Sequence, residues 1–343
     1  MSVSNTMLNK LELENAVQKG VISEESKERI LNYAARLQEN NVPVIFNLRH
    51  LRKICNISKK EQDVYFGNTR GQLYRQFKIP KKAGGVRMIE APCDKLKAIQ
   101  RWIKDDILDS FSSSEYATGF KKGKSIVDNA RPHIGKELII NIDLKDFFPS
   151  IHYSDIIRVF AYMGYRTDVA HLLTRLCTNG NNVLPQGSPA SPALSNLVSL
   201  RLDKRLSHLA KKLNCTYSRY ADDITFSGGK EIRLAIPLIK DIITAEGFEV
   251  NEEKVRLRYA HQRQEVTGLI VNERLSVSPR IKNELNSAIY YCKKYGVADH
   301  MRHVGCDKHF YKEHLYGLAY FVNMVNENLG RQYLNKLDEI MWN

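Results

Sequence analysis

Three acidic residues are the clearest candidates for chemistry in this chain: Asp143, Asp222 and Asp223. Asp143 ends an apolar run, Leu138-Ile139-Ile140-Asn141-Ile142. A carboxylate at the end of a buried strand is costly unless it is paired, hydrogen-bonded or bound to a metal. Asp222-Asp223 lies between Tyr217-Ser218-Arg219-Tyr220 and Ile224-Thr225-Phe226, which read as two arms of a hairpin. Adjacent carboxylates repel by on the order of 1 kcal/mol without a counter-cation. Singly, each feature has an ordinary reading, as a solvated strand-end Asp or an Asp-Asp surface turn. Together they form the donor set that two divalent cations need for phosphoryl transfer. With the ions ~4 Å apart, one activates an attacking hydroxyl and the other neutralises the leaving pyrophosphate.

The elements that must carry these residues follow from patterning. Residues 8–40 read as helix, with Ser23-Glu24-Glu25 starting a second one. Residues 44–66 read as helix again. LYRQFKIP and VRMIEAP read as two strands around the Gly-containing turn KKAGG. That hairpin is basic, through Lys81, Lys82 and Arg87. Residues 94–111, 154–178, 189–213 and 232–246 read as helices, 254–259 and 265–271 as strands, and the remainder from Pro279 as basic helix. The expected architecture is α+β, an antiparallel sheet backed by helices. No G-x-G-x-x-G or Walker loop occurs.

Composition narrows the partners. The formal net charge is +14, spread along the chain, which suits a long channel for a polyanion, most simply nucleic acid. A basic solvated surface is the alternative. The six cysteines (Cys55, Cys93, Cys177, Cys215, Cys292 and Cys306) include no C-x-x-C pair, so neither a zinc site nor a disulfide framework is expected. No apolar run spans a membrane, and the amino-terminal stretch is polar, so a soluble cytoplasmic protein with no membrane partner is expected.

The motifs also carry a resemblance. Tyr220-Ala221-Asp222-Asp223 is similar to the Y-x-D-D box of reverse transcriptases. Asp143-Leu144-Lys145-Asp146-Phe147-Phe148 resembles their first catalytic box, and Leu184-Pro185-Gln186-Gly187-Ser188-Pro189-Ala190-Ser191-Pro192 the box between. The likeness covers roughly residues 73–271. It implies an RNA-directed DNA polymerase with a right-hand fold: an amino-terminal helical region over 1–72, fingers over 73–135, a palm over 136–271 and a helical thumb over 272–343. It implies two Mg2+ ions on Asp143, Asp222, Asp223 and the Leu144 backbone carbonyl. It places Lys82 and Arg87 on the triphosphate of a deoxynucleotide, with Lys81 as the alternative to Lys82. Gln186 falls beside the incoming nucleotide, Gly187 where backbone approaches closely, and Phe148 against the sugar as a gate excluding ribonucleotides. A core Phe would share that last position. Lys254, in Asn251-Glu252-Glu253-Lys254, resembles a lysine able to protonate the leaving pyrophosphate, and a surface lysine is its plain reading.

Two further segments resemble retron reverse transcriptases in particular. Asn129-Ala130-Arg131-Pro132-His133 matches their N-A-x-x-H element, and Val266-Thr267-Gly268 their V-T-G element. Residues 42–48 also have the look of a retron amino-terminal segment. The resemblance implies that Asn129, His133, Val266, Thr267 and Gly268 recognise RNA and primer. It implies copying of a structured non-coding RNA, primed from an internal guanosine 2′-hydroxyl, to give branched RNA–DNA (msDNA). It also implies an effector protein partner and a role in antiviral (antiphage) defence. The carboxy-terminal helices interleave aromatic and basic residues, among them Tyr290, Tyr291, Lys294, Tyr295, Arg302, Lys308 and His309, which suits base stacking and phosphate contact. Alternatives are a group II intron-like or diversity-generating reverse transcriptase, or a nucleic-acid-binding scaffold or antitoxin subunit of a defence complex.

Overall fold

The computed structural model describes residues 10–80, 84–305 and 310–342. Lys81, Lys82, Cys306, Lys308 and His309 lie outside the described residues. The chain forms two compact units. One comprises residues 1–120, 144–205 and 241–250; the other comprises 121–143, 206–240 and 251–343.

The first unit opens with helices Lys10–Gln18 and Glu24–Glu39, the second capped by the Ser23 hydroxyl on the Ser26 amide at 3.1 Å. The expected helix over 44–66 is broken into Leu48–Ile54 and Gln62–Phe66. Asn56, with φ +52, is the breaker, a left-handed conformation that Asn tolerates and a helix does not. Strands β1 (Tyr74–Pro80) and β2 (Val86–Pro92) pair antiparallel with Ile79 opposite Arg87. Helix Asp94–Asp106 buries Leu96, Ile99, Trp102 and Ile103 and passes into a short 3-10 turn, Leu108–Ser110. Helices Tyr153–Tyr162, Thr167–Cys177 and Ser191–Val198 complete this unit's framework.

The second unit holds a four-stranded antiparallel sheet of order β4-β5-β3-β6: β3 (Leu138–Asp143), β4 (Thr216–Tyr220), β5 (Asp223–Gly228) and β6 (Arg256–Tyr259). β3 lies between two neighbours, and Leu138, Ile139, Ile140 and Ile142 are all buried. That explains its continuous apolar run, since no face is left for alternating polar residues. The expected strand 265–271 is instead a small hairpin, β7 (Glu265–Val266) and β8 (Leu269–Ile270). Thr267 and Gly268 form its turn with φ +46 and +81. Two consecutive positive φ values mark the primed turn that matches strand twist. Pro279 opens a helix to Tyr295, followed by Val297–His303, Tyr311–Val325 and Glu327–Asp338. Leu285, Ile289, Leu315, Val322 and Leu337 pack there in one core with Val127, Ile139, Val266 and Leu269. No helix of the described residues is long and apolar enough to cross a membrane.

Candidate active site

The sheet register brings the acidic residues together. β3 and β5 run antiparallel with Asp143 directly opposite Asp223. Partnered Cα atoms in such a ladder lie ~5 Å apart. Tyr220 pairs with Asp223 to close the β4–β5 hairpin, leaving Ala221-Asp222 as its two-residue turn. Ala221 has φ +57, a region that costs a non-glycine residue ~1–2 kcal/mol. Fully buried Arg219 lies beneath and donates Nη1 to the Ala221 carbonyl at 3.0 Å. Side-chain hydrogen bonding thus holds the strained turn.

Acidic side chains dominate the site. The Asp143 carboxylate accepts from Lys254 Nζ at 2.8 and 3.0 Å and from Asn251 Nδ2 at 3.1 Å. Asp223 reaches solvent at the rim of a concavity. Partial desolvation, then repulsion from Asp222 and Asp143, pushes its carboxyl up to about 6. The bond to Asp143 raises the Lys254 ammonium in turn. Three carboxylates thus gather here, with the Lys254 ammonium on Asp143, a grouping of acidic donors that suits divalent cations. In geometry the fit is incomplete. Among the described residues no three His, Cys, Asp or Glu side chains close into a metal cage, and Lys254 stands as the counter-cation on Asp143. Leu144 is buried, its backbone bridged to Val250.

The residues expected to meet a nucleotide lie in the first unit. Arg87 is exposed on β2; Lys82 lies outside the described residues. Phe148 is half-buried, its ring 5.7 Å from Phe147 and 5.9 Å from Phe120. Part of the side chain stays accessible, which is compatible with both the core and the gate reading. The Gln186 carbonyl accepts from the Glu90 amide at 2.9 Å. Gly187, at φ +144, lies so close to β2 that a Cβ would sit 2.7 Å from the Glu90 carbonyl oxygen. Gly187, in a turn, thus approaches strand β2 closely, which fixes Gln186.

The five residues expected to recognise RNA separate into two groups. Asn129, His133 and Val266 are all buried at 0% exposure, so their side chains are not presented to a ligand. This corrects the expectation of direct contact. The N-A-x-x-H element forms a short helix, Ile126–Ala130, and a 3-10 turn, Arg131–His133, whose inner face is core. Thr267 and Gly268, by contrast, line a concavity of about 650 Å3 with Tyr220, Asp223, Arg256, Arg258 and Arg263. Thr267 Oγ1 donates to the Ile126 carbonyl at 3.2 Å, joining the two elements.

Sequence reasoning missed Asn251, Arg219 and the three arginines of this concavity. Asn251 stood in the quoted Lys254 segment, so its position was in view but not its contact. Arg256 and Arg258 alternate along β6, which a strand pattern does signal. Nothing in the sequence distinguishes buried Arg219 from its exposed counterparts.

Comparisons with known proteins identify the family. Residues 79–272 match the family described as reverse transcriptase (RNA-dependent DNA polymerase). The α+β content and antiparallel sheet fit that family's right-hand polymerase fold, and the chain is an RNA-directed DNA polymerase. Retron Ec86 reverse transcriptase of Escherichia coli is 34% identical over 314 residues, covering 89% of this chain and 93% of that protein. Retron Mx65 and Mx162 reverse transcriptases of Myxococcus xanthus are 37% and 33% identical over 74% and 78% of this chain, and 61% of each of them is covered. A solved telomerase of Candida albicans with a telomeric RNA fragment aligns at a TM-score of 0.47 and 14% identity over 78% of this chain and 56% of that one. The chain belongs to the retron reverse transcriptases. Enzymes of the wider family generally depend on divalent metal.

Proposed function

We propose that the protein copies part of a folded non-coding RNA into DNA, starting from the 2′-hydroxyl of an internal guanosine, so that branched msDNA results. The observation that carries this reading is the concavity beside Asp223. Arg256, Arg258 and Arg263 wall it, and the Thr267-Gly268 turn borders it. Cationic walls leading to a carboxylate cluster suit a phosphate backbone whose hydroxyl must reach that cluster.

Two magnesium ions are the proposed cofactor, supplying hydroxyl activation and charge neutralisation at the triphosphate when bound. Asp143, Asp222 and Asp223 are the proposed ligands, with the Leu144 carbonyl. Lys254, held protonated by Asp143, is the proposed proton donor to pyrophosphate. Arg87 and Lys82 are assigned to the deoxynucleotide triphosphate, Gln186 to a place beside the incoming nucleotide and Phe148 to the sugar. We assign the tyrosines and cations of the carboxy-terminal helices to the cognate RNA. An effector protein, a cytoplasmic setting and antiphage defence complete the proposal.

The test is to purify the protein from cells carrying its native locus and sequence the nucleic acid that accompanies it. A 2′–5′ branched RNA–DNA molecule is expected. Unbranched DNA would favour a group II intron-like or diversity-generating enzyme. Bound RNA with no DNA would favour a scaffold or antitoxin subunit.

A further inference from the structure

His133 is wholly buried, yet both of its ring nitrogens are engaged. Nδ1 lies 2.6 Å from Ser227 Oγ and Nε2 lies 2.8 Å from Ser218 Oγ. A neutral imidazole has one donor and one acceptor nitrogen. One serine therefore accepts from the ring and the other donates its hydroxyl proton to it, and the set is satisfied without a charge. Ser218 and Ser227 are themselves buried, so the trio meets no substrate and is no nucleophilic site.

What the trio joins is specific. Ser218 is on β4 and Ser227 on β5, the two arms of the hairpin that ends in Asp222 and Asp223. Ser218 pairs with Thr225, and Ser227 lies two residues further along the same face of β5. The imidazole thus spans the hairpin diagonally, two residues from the closing Tyr220–Asp223 pair on β4 and four on β5, or ~7 and ~13 Å along the strands. β4 is the edge strand of the sheet, bound on one side by β5 alone. His133 also stands five residues before Leu138, where β3 begins, and β3 ends in Asp143. One side chain therefore ties the approach to the Asp143 strand to both arms of the Asp222-Asp223 hairpin. That hairpin carries strain at Ala221, and strained turns persist only where surrounding contacts over-determine them.

We propose that His133 is a positioning residue for the carboxylate cluster, acting through Ser218 and Ser227, and does not itself contact RNA. It stands one step further out than groups bonded directly to metal ligands, whose loss typically costs 10–100-fold in metal affinity or activity, and that range bounds the effect expected here. The inference rests on the reading of Asp143, Asp222 and Asp223 as metal ligands. It is distinguishable from that reading because Asp222→Asn tests the ligands alone.

The experiment compares His133→Ala, His133→Gln and Ser218→Ala with the unaltered full chain. A carboxamide offers one donor and one acceptor at a separation close to that of the ring nitrogens, so His133→Gln can span both serines. Three quantities are measured. The first is Mn2+ affinity without nucleic acid, by electron paramagnetic resonance. The second is kcat and KM for deoxynucleotide on an annealed primer. The third is the ratio of self-primed synthesis on the co-purified RNA to annealed-primer extension. For His133→Ala we expect Mn2+ affinity and kcat lower by about 10–100-fold, KM little changed and the ratio unchanged. Ser218→Ala should shift the same quantities less, and His133→Gln should recover most of the loss. A selective fall in the ratio would overturn the proposal in favour of direct RNA recognition. So would unaltered Mn2+ affinity in folded Ser218→Ala and His133→Ala. If His133→Ala does not fold, Ser218→Ala and His133→Gln decide by the same criteria.

Discussion

Replacing Gly187 by Ala is expected to damage both stability and nucleotide incorporation. The new Cβ would lie 2.7 Å from the Glu90 carbonyl oxygen, 3.1 Å from its carbon and 3.2 Å from Ile89 Cγ2. Two of these three atoms are backbone of a paired strand, so a side-chain rotation cannot relieve the clash. β2 and the Gln186 segment must part by roughly 0.7 Å to reach ordinary contact. Overpacking of this kind costs about 1–3 kcal/mol, and the φ of +144 adds about 1–3 kcal/mol of backbone strain. The same movement stretches the bond from the Glu90 amide to the Gln186 carbonyl. Gln186 then shifts by a large part of 1 Å, a displacement able to cost ~100-fold in rate. Gly247→Ala is the control, since φ is +85 there but nothing lies within 4 Å of the added carbon. The assay pairs thermal unfolding with deoxynucleotide incorporation on an annealed primer. Gly187→Ala should unfold several degrees below the control and raise KM for deoxynucleotide by about 10–100-fold. Equal unfolding midpoints and unchanged KM would refute the reasoning that the β2 contact sets Gln186.

Other outcomes follow from the same structure. Asp222→Asn should lower primer extension by several orders of magnitude while circular dichroism stays native, because a cation-binding charge is lost; full activity in the folded variant would remove Asp222 from the catalytic set. Phe148→Ala should raise the ratio of ribo- to deoxyribonucleotide incorporation, since the ring is packed against Phe147 and Phe120 and its removal leaves space; an unchanged ratio assigns Phe148 to the core alone. Burial, then repulsion from Lys136, depresses the His133 imidazole to about 3. The unfolded chain therefore binds a proton below about pH 6.5 that the native protein refuses, and stability should fall with pH between about 6 and 3 by up to about 1.4 kcal/mol per unit. His133→Gln lacks that proton, so its denaturant midpoint should change less over the same interval; parallel curves would contradict the buried neutral ring.

The sequence by itself determined the catalytic vocabulary and the local elements that hold it. An apolar run ending in Asp143 reads as a central strand because burial on both faces requires it, and β3 is that strand. Ser23 and Pro279 read as helix starts because they satisfy or dispense with amides that a first turn leaves unpaired, and both stand there. Residues 265–271 were less legible, because a two-residue turn inside a short apolar segment preserves the look of one strand. Tertiary structure alone decided which side chains face outward. The N-A-x-x-H segment presents polar residues that read naturally as contacts for RNA, yet Asn129 and His133 are fully buried. The His133 ring is satisfied there by serines 85 and 94 residues away, and no local pattern encodes a partner at that distance. The same holds for Asp143 and Asp223. Each could be placed at a strand end from its neighbours, but their direct opposition is a matter of sheet register, fixed by the packing of β3 between β5 and β6.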